Sequence, residues 1–580
     1  MNALDAVNGI IWHQYVLFIV LGVGMLFTFW SGFSQYRALT HGVAVTRGKY
    51  DNPDDPGAIT HFQALSAALS ATVGLGNIAG VGVAVALGGP GAVFWMWMVG
   101  IFGMAIKTTE VTLSMLYRNT DDPDNPHGGP MYVAKQAFKD RGMPGVGKVV
   151  GGIFVVTLLI STITGGNMFQ SWSVGEITEN YFQVPSIVSG IILSVLVAMV
   201  IIGGIKRIGS VAGRIVPFMC AVYLIAAVVV MIMNFGALPG VFKMIFVGAF
   251  SPTEAGGAFM GGTVGYALLW GMKRALFSSE CGQGSSPIAH SAAKTNEPVR
   301  EAVVAGLEPF IDTLVVCSLT AFVILSTGAY DRGHEAQFDE GSPIAVVAVD
   351  KDGDGQQDLN SSDIPLWTLS TPSVPVRLPD ARETSGPWIG GEDVFMVVHA
   401  GDDSNTGLDL HRINGNIRLD EEGNPTLIEW TGKNKQFASA TKPQLAESGT
   451  ELYVDYPGPS LTGHAFDRAI PGLGKYLVTF AAWLFALSTM ISWSYYGEQG
   501  VVFLFGQKFI VPYKLFYCTM IVVAAAGFIQ TDKQLDSITA LGTGVMLWAN
   551  IPIMLIFGAI AMKAYHTYIG KLKAGEFDEK

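Results

Sequence analysis

The sequence predicts an all-α polytopic membrane protein of about eleven transmembrane helices, interrupted by a β-rich insert on the extracytoplasmic side. Three observations predict it. Half of the 580 residues are hydrophobic and only 14% are charged, a balance unlike that of a soluble chain of this length. Apolar runs long enough to cross a hydrocarbon core of roughly 30 Å recur along the chain. The charge is also segregated: residues 331–467 hold 24 Asp and Glu against 9 Lys and Arg, so the net −12 of the chain becomes −15 there and +3 elsewhere.

The apolar runs lie near 10–34, 62–87, 91–117, 149–175, 186–204, 212–235, 260–290, 302–326, 472–496, 512–530 and 538–562. The 70 glycines suit helices that pack closely in lipid. Basic residues sort by side: alternate connections and the C-terminal tail, from Arg37 to Lys580, hold 19 Lys and Arg, and the opposite short connections hold only Lys243 and Lys533. Positive charge is retained on the cytoplasmic side, so the N-terminus is expected outside and the C-terminus inside. Met1 to Gly9 carries Asp5 and no basic residue, and reads as a retained helix, not a signal peptide. Cys220, Cys281, Cys317 and Cys518 lie in or beside apolar runs without metal-ligand spacing, which indicates neither a disulfide framework nor a zinc site.

Three units follow: residues 1–330 with helices 1 to 8, the acidic insert 331–467, and residues 468–580 with helices 9 to 11. The insert falls on the outer side, and its acidity argues against nucleic acid as a partner. Its short β-branched and aromatic runs, such as SPIAVVAVD and TELYVDY, alternate with Gly, Pro, Asn and Asp and predict strands. One segment resembles a calcium loop, with Asp350, Asp352, Asp354, Gln356 and Asp358 at ligand positions and Gly355 at the sixth. Ser361 stands where the last acidic ligand is expected, so a metal-free turn remains the competing reading.

Two apolar runs are broken by glycine-rich polar text, at Ala71 to Ala79 and at Ser278 to Ala289. Each opens a run of five helices, and an offset of five places the two runs in opposite orientation, the pattern of an inverted repeat. Glycine lets a helix unwind, and the freed N–H and C=O groups, which lipid cannot satisfy, must line a site. Half-helix N-termini then attract a carboxylate and freed carbonyls attract a cation. Glycines that merely let helices approach are the bland alternative.

The stretch ALSATVGLGNIAGVGVAVALGGPGAVFWMW, with GGPMYV, GNMFQSWSV, KRALFSSECGQGSSPIAHSAA, EPFIDT and STMISWSYYGEQ, resembles the alanine or glycine:cation symporters. The resemblance covers nearly all the chain outside the insert, about which it says nothing. It implies a LeuT-like fold of two inverted five-helix repeats plus one N-terminal helix, and uptake of alanine or glycine coupled to sodium or sometimes to protons. A bacterial inner membrane is the implied location.

At the first break, Thr72, Gly74, Gly76 and Asn77 are candidates to receive the substrate carboxylate. Gln170 stands where the family places a polar contact to substrate, one turn after Asn167; an interhelical hydrogen bond is the alternative for each. Phe277, Ser278 and Gly282 are expected to wall the second half of the pocket, and Trp493 to cap its apolar side, although Trp also favours membrane interfaces. Ser488 and Thr489 match the hydroxyl pair that binds sodium in LeuT-like transporters, with backbone carbonyls near Ser70, Val73 and Phe485. Such hydroxyls also bond back to their own helix. Glu110, Glu280 and Asp312 lie near membrane depth and need partners, for which Lys107, Lys273 and Arg274 are candidates, in a structural or gating network. A receptor that binds an amino acid in its outer domain is the rival function. No His-rich metal motif or nucleophile–base pair suggests an enzyme.

Overall fold

The computed structural model describes residues 2–350, 357–360, 363–378, 388–403, 408–430, 437–446, 449–456, 458–527 and 532–577. The apolar runs fold as helices. Among the described residues eight of them, for example Val7–Trp30, Gly91–Leu116, Pro144–Phe182 and Leu473–Phe505, are long and apolar enough to cross a membrane. A ninth is the bent pair His61–Thr72 and Gly76–Gly88, whose halves meet at 54°. The expected count of eleven is therefore not reproduced. Ser186–Ile201 has 16 residues, about 24 Å of helix at 1.5 Å per residue. Val264–Ser279 also has 16 and stops where the second glycine-rich text begins.

Local chemistry sets the helix starts. Thr60 accepts from the Gln63 amide at 3.2 Å while the Gln63 side chain accepts from the Thr60 amide at 3.1 Å, a reciprocal cap that opens the first broken helix. Thr263 caps Val264–Ser279 by accepting from the Tyr266 amide. Burial then sorts the helices. Gly204–Met233 turns Phe218, Ile225 and Ile232 outward, which suits lipid, whereas Leu473–Phe505 buries Ser488, Thr489, Ser494 and Glu498 at the centre.

The insert contains nine strands among the described residues: β1 (Ala336–Gln337), β2 (Ala345–Ala348), β3 (Leu366–Ser370), β4 (Asp393–His399), β5 (Leu410–Leu419), β6 (Pro425–Glu429), β7 (Phe437–Ala438), β8 (Gln444–Leu445) and β9 (Glu451–Val454). They pair antiparallel in a six-stranded sheet, β1-β9-β4-β5-β6 with β8 also on β4, and a three-stranded one, β2-β3-β7. Val394, Met396, Val398, Ile413, Ile417 and Trp430 form a core separate from that of the helices. Of the expected calcium ligands, Asp352, Asp354 and Gln356 lie outside the described residues. Asp350 and Asp358 flank them, and the Asp358 amide donates to Val349 O at 2.7 Å.

Helix Pro459–Ala469 falls in the last part of the polar segment but packs on the membrane helices: Thr462 donates to Ile78 O at 3.1 Å, beside the first break. Removal of the insert must therefore stop short of Pro459. Replacing residues 336–456 by a Gly/Ser linker is expected to leave transport within a few-fold of the parent, because the strands bury a core of their own and the described contacts with the rest of the chain are local, such as Ala258 with Phe395 and Tyr453, Gly261 with Leu408, Arg332 with Val454 O and Tyr456 with His464. Uptake by a monodisperse deletion variant checks this, and its loss would make the insert part of the mechanism.

Candidate functional site

Four irregular segments meet at the centre of the helices. The first helix halts at Thr72, Val73 leaves helical geometry at φ −78° and ψ 88°, and Gly76–Gly80 resumes as a π-helical turn. The second halts at Ser279, and Glu280, Gly282 and Gly284 take φ of 53°, 78° and 81°. Left-handed backbone is unusual for a glutamate and marks a turn that its surroundings enforce. Thr164–Met168 and Phe310–Cys317 are π-helical, a widened form that recurs at functional sites.

The first three of these segments, the two breaks and Thr164–Met168, border a cavity of about 40 Å³ lined by Thr72, Gly74, Gly76, Gln170, Phe277, Ser278 and Trp493, together with Ala71, Ser161, Gly165, Glu280, Gln283, Thr489, Thr539 and Thr543. A chamber of about 750 Å³ lies beyond it and shares Gly76 and Phe277 with it, so these two residues stand at the partition. Lys273 and Arg274 line the chamber, each about 5 Å from the Trp270 ring. Close backbone approach explains two glycines. A Cβ on Gly74 would lie 2.8 Å from Thr489 Oγ1, and one on Gly166 would lie 2.3 Å from Trp493 Cγ.

Two expected pocket residues lie elsewhere. Asn77 works as a staple: its Oδ1 accepts from the Gly74 amide at 2.8 Å, and its Nδ2 donates to Asp312. The Gly74 amide is thereby taken. Gly282 faces Ile551 and Leu547, and its carbonyl accepts from Asn550 Nδ2 at 2.9 Å, so it does not wall the cavity. Gly282→Leu is accordingly expected to destabilise the protein by about 1–3 kcal/mol or more through overpacking, aggravated by left-handed strain, and not to fill the substrate space. A lowered melting temperature with unchanged substrate affinity in the surviving fraction checks this.

Gln283 is the wall residue that sequence reasoning passed over in favour of its neighbour. Its Nε2 donates to Leu276 O at 2.8 Å, and its Oε1, like Gln170 Oε1, is buried without a hydrogen-bond partner. Two unsatisfied carbonyl oxygens at one cavity suit an ammonium donor. Thr539 and Thr543 were also missed, since hydroxyls in a long apolar run give no signal of which face is central.

Four of the five residues expected to hold a cation, Ser70, Phe485, Ser488 and Thr489, bring oxygens together beside this cavity. Thr489 donates to Ser70 O at 3.1 Å, and Ser488 Oγ lies 3.4 Å from Ser70 O and 2.9 Å from Phe485 O. Ser70 Oγ donates in return to Ser488 O at 2.6 Å. Val73 is fully buried one residue beyond Thr72. Hydroxyl and carbonyl oxygens suit a hard cation. Among the described residues no cluster of three or more His, Cys, Asp or Glu is placed to hold a metal.

Buried charge lies close by. Lys107 Nζ stands 3.6 Å from Glu110 and 3.3 Å from Glu308, as expected for the first of the three carboxylates. Glu280 and Asp312 are held differently. Ser285 donates to Glu280 at 2.5 Å, and Asp312 accepts from Ser278 at 3.0 Å, from Thr313 at 2.8 Å and from Asn77. Asp312 thereby joins both breaks to the π-helical Phe310–Cys317.

The family model of the sodium:alanine symporter family matches residues 1–353 and 444–580, leaving out the middle of the insert. The sodium/alanine symporter AgcS of Methanococcus maripaludis is 42% identical over 330 residues, 57% of this chain and 71% of that protein. The putative sodium/proton-dependent alanine carrier protein YrbD of Bacillus subtilis is 29% identical over 98% of this chain and 93% of its own length. The crystal structure of MhsT in complex with L-phenylalanine aligns over 88% of this chain and 92% of that one, with a TM-score of 0.48 at 13% identity.

Proposed function

This chain belongs to the sodium:alanine symporter family and is a multi-pass, cation-coupled amino-acid symporter, and we propose that it imports alanine or glycine with sodium by alternating access. The two breaks are then the unwound points of two inverted five-helix repeats in a LeuT-like arrangement, in a bacterial inner membrane with the N-terminus outside and the insert extracytoplasmic.

One observation carries the reading: Thr489 belongs to both sites. It lines the cavity, and its hydroxyl donates to Ser70 O in the oxygen cluster. A sodium ion held by Ser70, Val73, Phe485, Ser488 and Thr489 would order the wall against which substrate rests, which is how two ligands come to share a coupling free energy. The substrate carboxylate is placed at the Gly76 amide, on the positive end of the half-helix that begins there, with the Thr72 hydroxyl at the same cavity wall. Its ammonium meets the free oxygens of Gln170 and Gln283, and Phe277, Ser278 and Trp493 leave room for a short side chain only.

Uptake of a radiolabelled amino-acid panel into proteoliposomes, with and without a sodium gradient, tests this. Sodium-dependent uptake of alanine or glycine, with larger amino acids excluded, is expected. Equal uptake without sodium overturns the coupling.

A further inference from the structure

Below the cavity runs a file of buried side chains from four segments: His61 on the first broken helix, Glu301 and Glu308 on Pro298–Ser326, His290 at the end of the second break, and Lys107 on Gly91–Leu116. Each is at most 1% exposed. His290 lies between two carboxylates, with Nδ1 2.5 Å from Glu301 Oε1 and Nε2 2.6 Å from Glu308 Oε1. A carboxylate only accepts, and a neutral imidazole has one N–H. The arrangement therefore holds one proton more than a neutral histidine and two carboxylates contain.

The neighbouring charges agree. Glu301 also meets His61 Nδ1, and Glu308 accepts from Ser286 and faces Lys107. Lys107 also meets Glu110, and Glu280 and the buried Tyr496 of the central helix lie within electrostatic reach of this group. Arg118 approaches from the end of its helix, its guanidinium bonded to the carbonyls of Ser291 and Ala293. A cationic His290 adds to Lys107 and Arg118 the positive charge that buried carboxylates need.

We propose that His290, with Glu301 and Glu308, is a proton-binding lock that holds the inner ends of both broken helices closed. The choice of inner face rests on the topology proposed above. The proton leaves a His290 ring nitrogen for inner water, and both glutamates remain carboxylates. Neutral His290 can then donate to only one of them and turns a lone pair on the other. That repulsion separates the second break from Pro298–Ser326, and with Glu301 released His61 loses its tie as well. Low inner pH favours the closed state and high inner pH the open one.

Alanine efflux from right-side-out membrane vesicles tests the lock, with internal and external pH varied separately. Efflux is expected to quicken with internal pH, by up to about tenfold per unit for one linked proton, and to ignore external pH. His290→Gln, whose amide donates without titrating, is expected to abolish that dependence. Insensitivity of the parent to internal pH while sodium-driven uptake proceeds in the same vesicles overturns the lock and leaves the symport reading intact. Equal sensitivity to external pH overturns it too, since the proton would then travel with the substrate. A second readout needs no transport. The solubilised parent should lose thermal stability as pH rises, because the bound proton belongs to the folded, locked form, and His290→Gln should not. Identical profiles for the two proteins overturn the proposal even if alanine is not the substrate.

Discussion

Replacing Ser488 and Thr489 together by alanine is expected to raise the sodium concentration for half-maximal uptake by about tenfold or more, equivalent to about 1.4 kcal/mol. Two hydroxyls converge on Ser70 O and Phe485 O at 2.9–3.4 Å, and a methyl group offers a hard cation no ligand in their place. The double variant keeps the cavity walls from the two breaks. Linkage therefore requires substrate affinity to fall at low sodium and to recover at saturating sodium. Sodium titrations of uptake, and of alanine binding, check both parts. An unchanged sodium dependence would place the cation elsewhere.

Lys107→Met is expected to be the most damaging single change, at about 3–5 kcal/mol, because it removes one partner of buried ion pairs and leaves Glu110 and Glu308 facing each other across its former position. Methionine keeps most of the volume, so the loss is electrostatic. A second substitution, Glu308→Gln, removes one of the abandoned charges and should restore part of the stability, a coupling that a double-mutant cycle measures. Melting of the four proteins in detergent checks it. Equal destabilisation with and without Glu308→Gln would show that Lys107 acts through volume alone.

The membrane class and the two breaks were legible in the sequence for a common reason: each departs from its background. Polar, glycine-rich text inside an apolar run cannot be satisfied by lipid, whereas Ser488 and Thr489 are singled out by the family resemblance alone, since such hydroxyls also bond back to their own helix. The insert's strands were visible through their β-branched runs. Side-chain direction was not visible. Gly282 and Gln283 are adjacent, and only the left-handed turns at 280, 282 and 284 decide that the glutamine faces the cavity while the glycine faces Ile551. Asn77 read as a substrate ligand because it follows Gly-x-Gly, but its side chain folds back onto Gly74 and across to Asp312.

By itself the sequence determined that this chain lives in a membrane and where its apolar runs are broken by polar, glycine-rich text. Hydrophobicity, glycine and charge are properties of residues and survive without coordinates. Only the tertiary structure decided which charges pair: Lys107 with Glu110 and Glu308, His290 with Glu301 and Glu308, and hydroxyls in place of cations at Glu280 and Asp312. The physical reason is distance. Pairing in a low-dielectric interior depends on a few ångströms between side chains from separate helices, and those separations are set when the helices pack.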